Sequence, residues 1–152
     1  MYPFKHLLYG IIFSGSLFVL FPGISLIGLV LFIASTVLID VDHYLYYVYK
    51  TKDINFKRAR KWFFDYEKKF LEIPFNERNQ YRWATFCFLH GIETILLVFI
   101  LGFYFNQFFF VFAGISFHLL LDWVHQSTYW DKRMERVSIL YDYFKFKKLT
   151  LI

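Results

Sequence analysis

The sequence predicts an all-α integral membrane protein: one domain (1–152) forming a bundle of four transmembrane helices, with an amphipathic interfacial helix between the second and third. The chain is 58% hydrophobic and 25% aromatic, whereas about half of the residues of soluble domains are apolar. The apolar residues form long stretches, and most Lys and Arg residues lie between these stretches. Basic residues confined to loops are typical of membrane proteins, whose orientation they set.

The first two predicted spans form a helical hairpin. They cover about 7–21 and 24–49, and Pro22 and Gly23 between them have turn chemistry. A cleaved signal peptide is the alternative for the first stretch, but no small-residue cleavage site follows it. The second span ends in a tyrosine-rich segment, as expected at a membrane–water interface.

A basic segment follows, and it contains a predicted amphipathic helix at about 54–73 that ends before Pro74. Trp62, Tyr66, Phe70 and Ile73 recur at helical spacing and would anchor this helix among lipid headgroups. A basic surface for nucleic acid is the rival interpretation. The apolar face formed by the aromatic residues favours membrane lipid as the partner, and no nucleic acid.

The remaining spans are predicted at about 81–105 and 108–130, separated by a short polar turn at Asn106 and Gln107. A charged tail, 131–152, completes the chain. The two turns between paired spans contain no basic residue. The positive-inside rule therefore places both termini and the middle loop in the cytoplasm, which predicts a multi-pass protein of the cytoplasmic (inner) membrane.

Seven ionisable residues lie in the cytoplasmic half of three predicted spans. Within each span they stand three or four residues apart, so they share a helical face. Charged groups inside a membrane are costly and usually bind something, and His with carboxylates suits a divalent metal. A structural role, with hydrogen bonds across helix interfaces, is the alternative. The seven residues are Asp40, His43, His90, Glu93, His118, Asp122 and His125.

Three elements of the chain resemble the membrane-bound metal-dependent hydrolase family of prokaryotic inner membranes, which includes DNA-damage-regulated members. The first reads Ile39-Asp40-Val41-Asp42-His43 and matches an Asp-x-Asp-His element. The second reads Leu89-His90-Gly91-Ile92-Glu93, and it lacks the family's Arg and Thr-His-Ser pattern. The third reads Ser116-Phe117-His118-Leu119-Leu120-Leu121-Asp122, with Phe117 inserted relative to the family. The resemblance implies a metal site more directly than it implies a reaction.

The resulting functional hypothesis is a membrane-embedded hydrolase that uses one or two divalent ions, zinc or manganese, on an ester or phosphoester. A lipid-like or phosphorylated substrate fits a site near the headgroups. Glu93 or Asp42 would act as general base or as an orienting group. The expected metal ligands are Asp40, His43, His90, His118 and Asp122, with His125 as a further, more peripheral one.

Two other functions stay open from the sequence. The same ligands could bind a cation or proton that moves through the membrane, although the outer halves of the spans offer few polar residues to continue such a path. The cluster could also only lock helices together in a structural subunit. Cys87 is the single cysteine, and its expected role is packing. His6, near the end of the first span, is not expected to join the site.

Overall fold

A computed structural model describes residues 3–81, 87–129 and 137–148, and helices are the main regular elements of these ranges. A short 3-10 turn, Arg78–Gln80, follows the fourth helix. The seven α-helices of the described residues are α1 (Pro3–Leu20), α2 (Leu26–Leu38), α3 (Val41–Thr51), α4 (Phe56–Glu72), α5 (Ile92–Gly102), α6 (Phe108–Tyr129) and α7 (Ile139–Lys148).

Within the described residues, three segments are long and apolar enough to cross a membrane: Pro3–Leu20, Leu26–Thr51 and Phe108–Ser127. They coincide with the first, second and fourth spans predicted from the sequence. Many of their apolar side chains are exposed, as expected of surfaces that face lipid. The helices and turns of the described residues confirm the all-α prediction for this part of the chain. The three segments are compatible with a membrane protein.

The chain divides into two compact units. Unit 1 comprises Met1–Asp40 and Ile92–His125, and unit 2 comprises Val41–Gly91 and Gln126–Ile152.

Small residues bring the helices of unit 1 close together. A Cβ placed on Gly114 of α6 would collide with the Phe32 carbonyl and the Ser35 hydroxyl of α2. Close approach of helices at small residues is typical of membrane proteins. The Ser35 and Thr36 hydroxyls donate to carbonyls of their own helix, at 2.8 and 2.7 Å, which satisfies these polar groups inside an apolar segment.

The second predicted span is interrupted. Helix α2 ends at Leu38 and α3 begins at Val41, with a turn at Ile39 and Asp40. The Asp40 N–H donates to the Val37 carbonyl at 3.2 Å, a tighter connection than the i→i−4 bond that would continue the helix. Asp40 and His43 therefore do not share the face of one continuous helix, contrary to the expectation from their spacing.

The third predicted span is helical over a shorter range. Helix α5 has 11 residues, which extend for about 16 Å, whereas the hydrocarbon core is about 30 Å thick. Residues 82–86 lie outside the described part of the chain, and residues 88–91 are bends. His90 thus lies before the helix and Glu93 in its first turn, so the two do not share a helical face. A fourth membrane span remains a prediction.

In unit 2, the aromatic face of α4 packs against protein. Tyr66 and Phe70 are buried and form a core with Trp62, Ile73 and Tyr81. The ring centroid of Trp62 lies 5.7 Å from that of Tyr47 on α3. Phe70 therefore has a protein partner, because an apolar face fits a protein core as well as a bilayer. The placement of this helix among lipid headgroups remains a prediction.

Asp53 organises the connection between α3 and α4. Its carboxylate accepts hydrogen bonds from the Arg58 guanidinium at 2.6 and 2.7 Å and from the Tyr47 hydroxyl at 2.6 Å. The Asn55 N–H adds a bond of 3.0 Å. These partners hold the pKa of Asp53 well below its usual range, and the hydrogen bonds from Arg58 are the largest cause. Asp53 in turn raises the pKa of Arg58.

Candidate metal centre

Unit 1 brings together four buried ionisable residues, here called the unit 1 cluster. His6 comes from α1, Asp40 from the turn after α2, and His118 and Asp122 from successive turns of α6. The exposed fraction is 0% for each of the two histidines, 1% for Asp122 and 9% for Asp40. Charged or dipolar groups at this burial need compensating partners.

The orientation of His118 is fixed by the backbone of α2. Its Nδ1 lies 2.8 Å from the Thr36 carbonyl oxygen, which can only accept, so Nδ1 carries the proton and donates. The turn at Asp40 makes this bond possible, because the Asp40 N–H bonds to Val37 instead of to Thr36. In the neutral imidazole, Nε2 then presents its lone pair.

That lone pair faces two carboxylates. His118 Nε2 lies 3.6 Å from Asp40 Oδ1 and 3.6 Å from Asp122 Oδ2. Each of these carboxylate oxygens repels the lone pair of the neutral ring, and a cation between them removes that repulsion. A histidine that donates one ring N–H to a backbone carbonyl and directs the other nitrogen at carboxylates has the arrangement of a metal ligand with its orienting partner.

The distances suit a divalent ion. Metal–nitrogen and metal–oxygen bonds of about 2.1 Å in tetrahedral geometry separate neighbouring ligand atoms by about 3.4 Å. The two separations at His118 Nε2 are 3.6 Å, and His6 Nε2 lies 3.1 Å from Asp122 Oδ1. One ligand atom each from His6, His118 and Asp122 lies within 4.8 Å of the others. The donor set therefore fits a metal ion.

His6 is the residue of this cluster that the sequence interpretation left out. Its ring stacks on His118, with centroids 3.8 Å apart. A usable signal exists in the sequence: His6, Gly10 and Ser14 recur every four residues, and all three are buried. A Cβ on Gly10 would lie 2.8 Å from Thr36 Oγ1, so this face of α1 packs closely against α2.

Unit 2 brings together a second group, the unit 2 cluster, which consists of Asp42, His43, Cys87 and His90. One ligand atom each from Asp42, His43 and His90 lies within 4.8 Å of the others. Asp42 Oδ2 accepts the Leu89 N–H at 3.0 Å and lies 2.9 Å from His90 Nδ1. Cys87, expected only to pack, has its sulfur 3.2 Å from His43 Nδ1.

Two residues expected at the site belong to neither cluster. His125 is partly buried on α6, three residues after Asp122, and Glu93 is partly buried at the start of α5. A carboxylate in the first turn of a helix is stabilised by the helix dipole, which gives Glu93 a structural reason for its position. Its role as a base and that of His125 as a ligand remain predictions.

Comparisons with protein-family models, with curated proteins and with solved structures find no match to this chain. The resemblance to membrane-bound metal-dependent hydrolases therefore stays a prediction. The structure itself shows buried His/Asp groups that can hold a metal ion.

Proposed function

We propose that the chain is a membrane-embedded, metal-dependent hydrolase whose divalent ion is bound by His118, Asp122 and Asp40, with His6 completing the site. The observation that carries this proposal is the hydrogen bond of 2.8 Å from His118 Nδ1 to the Thr36 carbonyl. In the neutral ring this bond turns the lone pair of Nε2 toward two buried carboxylates, the arrangement of a histidine ligand beside the other ligands of a metal ion.

Each residue of the cluster has a definite task in this proposal. Asp40 and Asp122 supply the negative charge that balances a divalent ion in an apolar environment. His6, beside Asp122 Oδ1, fixes the direction of that carboxylate, and Thr36 fixes the ring of His118. A bound divalent ion lowers the pKa of water to near neutral and polarises an ester or phosphoester group.

The proposed substrate is an ester or phosphoester with a lipid tail. The cluster is assembled from segments long enough to cross a membrane, so a substrate already in the bilayer reaches it most directly. The candidate general base is Glu93, which lies in the first turn of α5. Asp42, the other candidate, accepts bonds from Leu89 and His90, which suits an orienting role better than proton transfer.

We place the protein in the cytoplasmic membrane with both termini inside, on the strength of the distribution of Lys and Arg. Reporter fusions at Gly23 and Asn106 should then report the outer side, and fusions after Lys69 the cytoplasm. A cytoplasmic signal at Asn106 would contradict this topology.

Elemental analysis and hydrolysis assays test the proposal together. The protein purified in detergent, without added metal or chelator, should contain at least one equivalent of zinc or manganese. It should hydrolyse bis(p-nitrophenyl) phosphate or a p-nitrophenyl ester in micelles. Asp122→Asn should lose the metal of the unit 1 cluster and hydrolysis, whereas Asp65→Asn, which changes an exposed carboxylate of α4, should keep both.

Two results would contradict the proposal in different ways. Metal content far below one per chain, not restored by zinc or manganese, would leave the cluster a structural device. Full metal content with hydrolysis of neither probe would remove the enzymatic part and leave a metal-binding protein.

A further inference from the structure

We propose that unit 2 contains a second, thiolate-ligated metal site, in which Cys87 binds a zinc-type ion together with His43 and Asp42. This site shares no residue with the unit 1 cluster. It also gives Cys87 a chemical role that its apolar sequence surroundings do not suggest.

The geometry converges on one nitrogen of His43. Cys87 Sγ lies 3.2 Å from His43 Nδ1, and Asp42 Oδ1 lies 3.4 Å from the same atom. Zinc–ligand bond lengths in tetrahedral geometry separate nitrogen from oxygen by about 3.4 Å and nitrogen from sulfur by about 3.6 Å. The distance of 3.4 Å from Asp42 Oδ1 to His43 Nδ1 matches the value for nitrogen and oxygen. The distance of 3.2 Å from Cys87 Sγ to His43 Nδ1 is somewhat shorter than the value for nitrogen and sulfur.

Hydrogen bonds among these three atoms leave Asp42 Oδ1 unsatisfied. If His43 Nδ1 carries a proton, it can donate to the thiol or to the carboxylate, and 3.4 Å is already long for the latter. If Nδ1 is deprotonated, the thiol can donate to it, and the carboxylate then faces a lone pair. Asp42 Oδ1 is fully buried and has no hydrogen-bond partner among the described residues. A cation among the three atoms satisfies all of them at once.

The other carboxylate oxygen shows how Asp42 is oriented. Asp42 Oδ2 is held by the Leu89 N–H and lies next to His90 Nδ1, so Oδ1 is the oxygen directed at His43. The rings of His43 and His90 stack, with centroids 5.0 Å apart, which restricts the orientation of both. Such supporting contacts are what hold metal ligands in place.

The ligand types select the ion. One thiolate, one imidazole and one carboxylate suit zinc better than manganese, because sulfur prefers softer ions than carboxylate-rich sites do. Cys87 is 7% exposed, and its thiol would lose its proton to solvent as the ion binds.

Cobalt(II) provides a direct test with the full chain in detergent. Cobalt replaces zinc, and a cobalt–thiolate bond gives a charge-transfer absorption in the near ultraviolet, whereas nitrogen and oxygen ligands give only visible bands. Because the chain has a single cysteine, this absorption can come only from Cys87. We expect it to grow with added cobalt and to saturate. Its absence from the wild-type protein at saturating cobalt overturns the proposal, whatever the unit 1 cluster binds.

Two variants separate the two sites. Cys87→Ser should abolish the near-ultraviolet absorption and keep the visible bands of cobalt in the unit 1 cluster. Asp122→Asn should keep the near-ultraviolet thiolate absorption and lose the cobalt of the unit 1 cluster. If both sites are equally occupied in the wild type, this loss is about half of the bound cobalt. Loss of the thiolate absorption in Asp122→Asn would mean that the clusters do not bind independently, and it would overturn the proposal of a separate site.

Discussion

His6 Nε2 lies 3.1 Å from Asp122 Oδ1, although 116 residues separate the two in the chain. The contact connects α1, the first helix, to the α6 turn that also contains His118, on whose ring His6 stacks. Asp122 thereby has a histidine at each oxygen: His6 at Oδ1 and His118 at Oδ2. The first helix is thus part of the candidate metal centre.

His6→Ala should weaken metal binding by about 10-fold to 100-fold, the loss that follows removal of a group that orients or assists a ligand. Ser16→Ala is the matched control, because Ser16 lies on the same helix, α1, and its exposed hydroxyl donates to the Ile12 carbonyl of that helix. Its metal content should stay at the wild-type level. Competition with a chelator of known affinity measures both. Equal affinity of the His6 variant and the wild type would contradict the place of His6 in the cluster.

The sequence predicted those parts of the site that depend on one helix alone. The segments that became α1, α2 and α6 are recognisable from hydropathy and turn residues, and the pairing of His118 with Asp122 follows from a four-residue spacing within one helix. The placement of His6 depends on which face of α1 packs on α2. The close approach of Gly10 to Thr36 determines which face of α1 packs on α2. Periodicity within one helix does not specify such a contact between helices.

The interruption at Ile39 and Asp40 was not predictable for a different reason. Neither residue breaks helices as Gly or Pro does, and the Ile39 backbone still has right-handed helical angles, φ −60° and ψ −32°. The bends at residues 88–91 could not be predicted either, because hydropathy does not distinguish an apolar bend from an apolar helix. Both irregular segments carry cluster residues, as expected where non-helical backbone is supported by protein contacts.

Gly114→Ala should destabilise the protein by about 1–3 kcal/mol, the cost of adding a carbon to a packed core. The new Cβ meets the Phe32 carbonyl and Ser35, and a backbone carbonyl cannot move aside as a flexible side chain can. Gly15→Ala is the control, because a Cβ there has nothing within 4 Å. It should be neutral or stabilising by up to about 1 kcal/mol. Unfolding midpoints in detergent compare the two, and equal stability would contradict the close α2–α6 contact.

Phe70→Ala should cost about 3–5 kcal/mol of stability, because the Phe70 ring is 2% exposed in the core of unit 2. Phe64 lies on the same helix and is 42% exposed, so Phe64→Ala should cost much less. The membrane-anchor interpretation from the sequence makes the opposite prediction for Phe70, namely weaker lipid contact without loss of stability. Denaturant unfolding of both variants in the same detergent decides between these interpretations.

Asp53→Asn should loosen the connection between α3 and α4 in a pH-dependent way. Arg58 and Tyr47 lower the pKa of Asp53 in the folded state, so its ionised form stabilises the fold above the unfolded-state pKa of about 3.9. This contribution is lost as the pH falls through the folded-state pKa, which lies lower. The Asn55 N–H, which donates to Asp53 Oδ1, should therefore exchange with deuterium faster in the variant at neutral pH, after correction for intrinsic rates. The difference from the wild type should shrink in strong acid.

Asp65→Asn, at an exposed position of α4, is the control and should leave the exchange rate of the Asn55 N–H unchanged. An equal increase in both variants would show that the Asp53 bonds do not hold the connection.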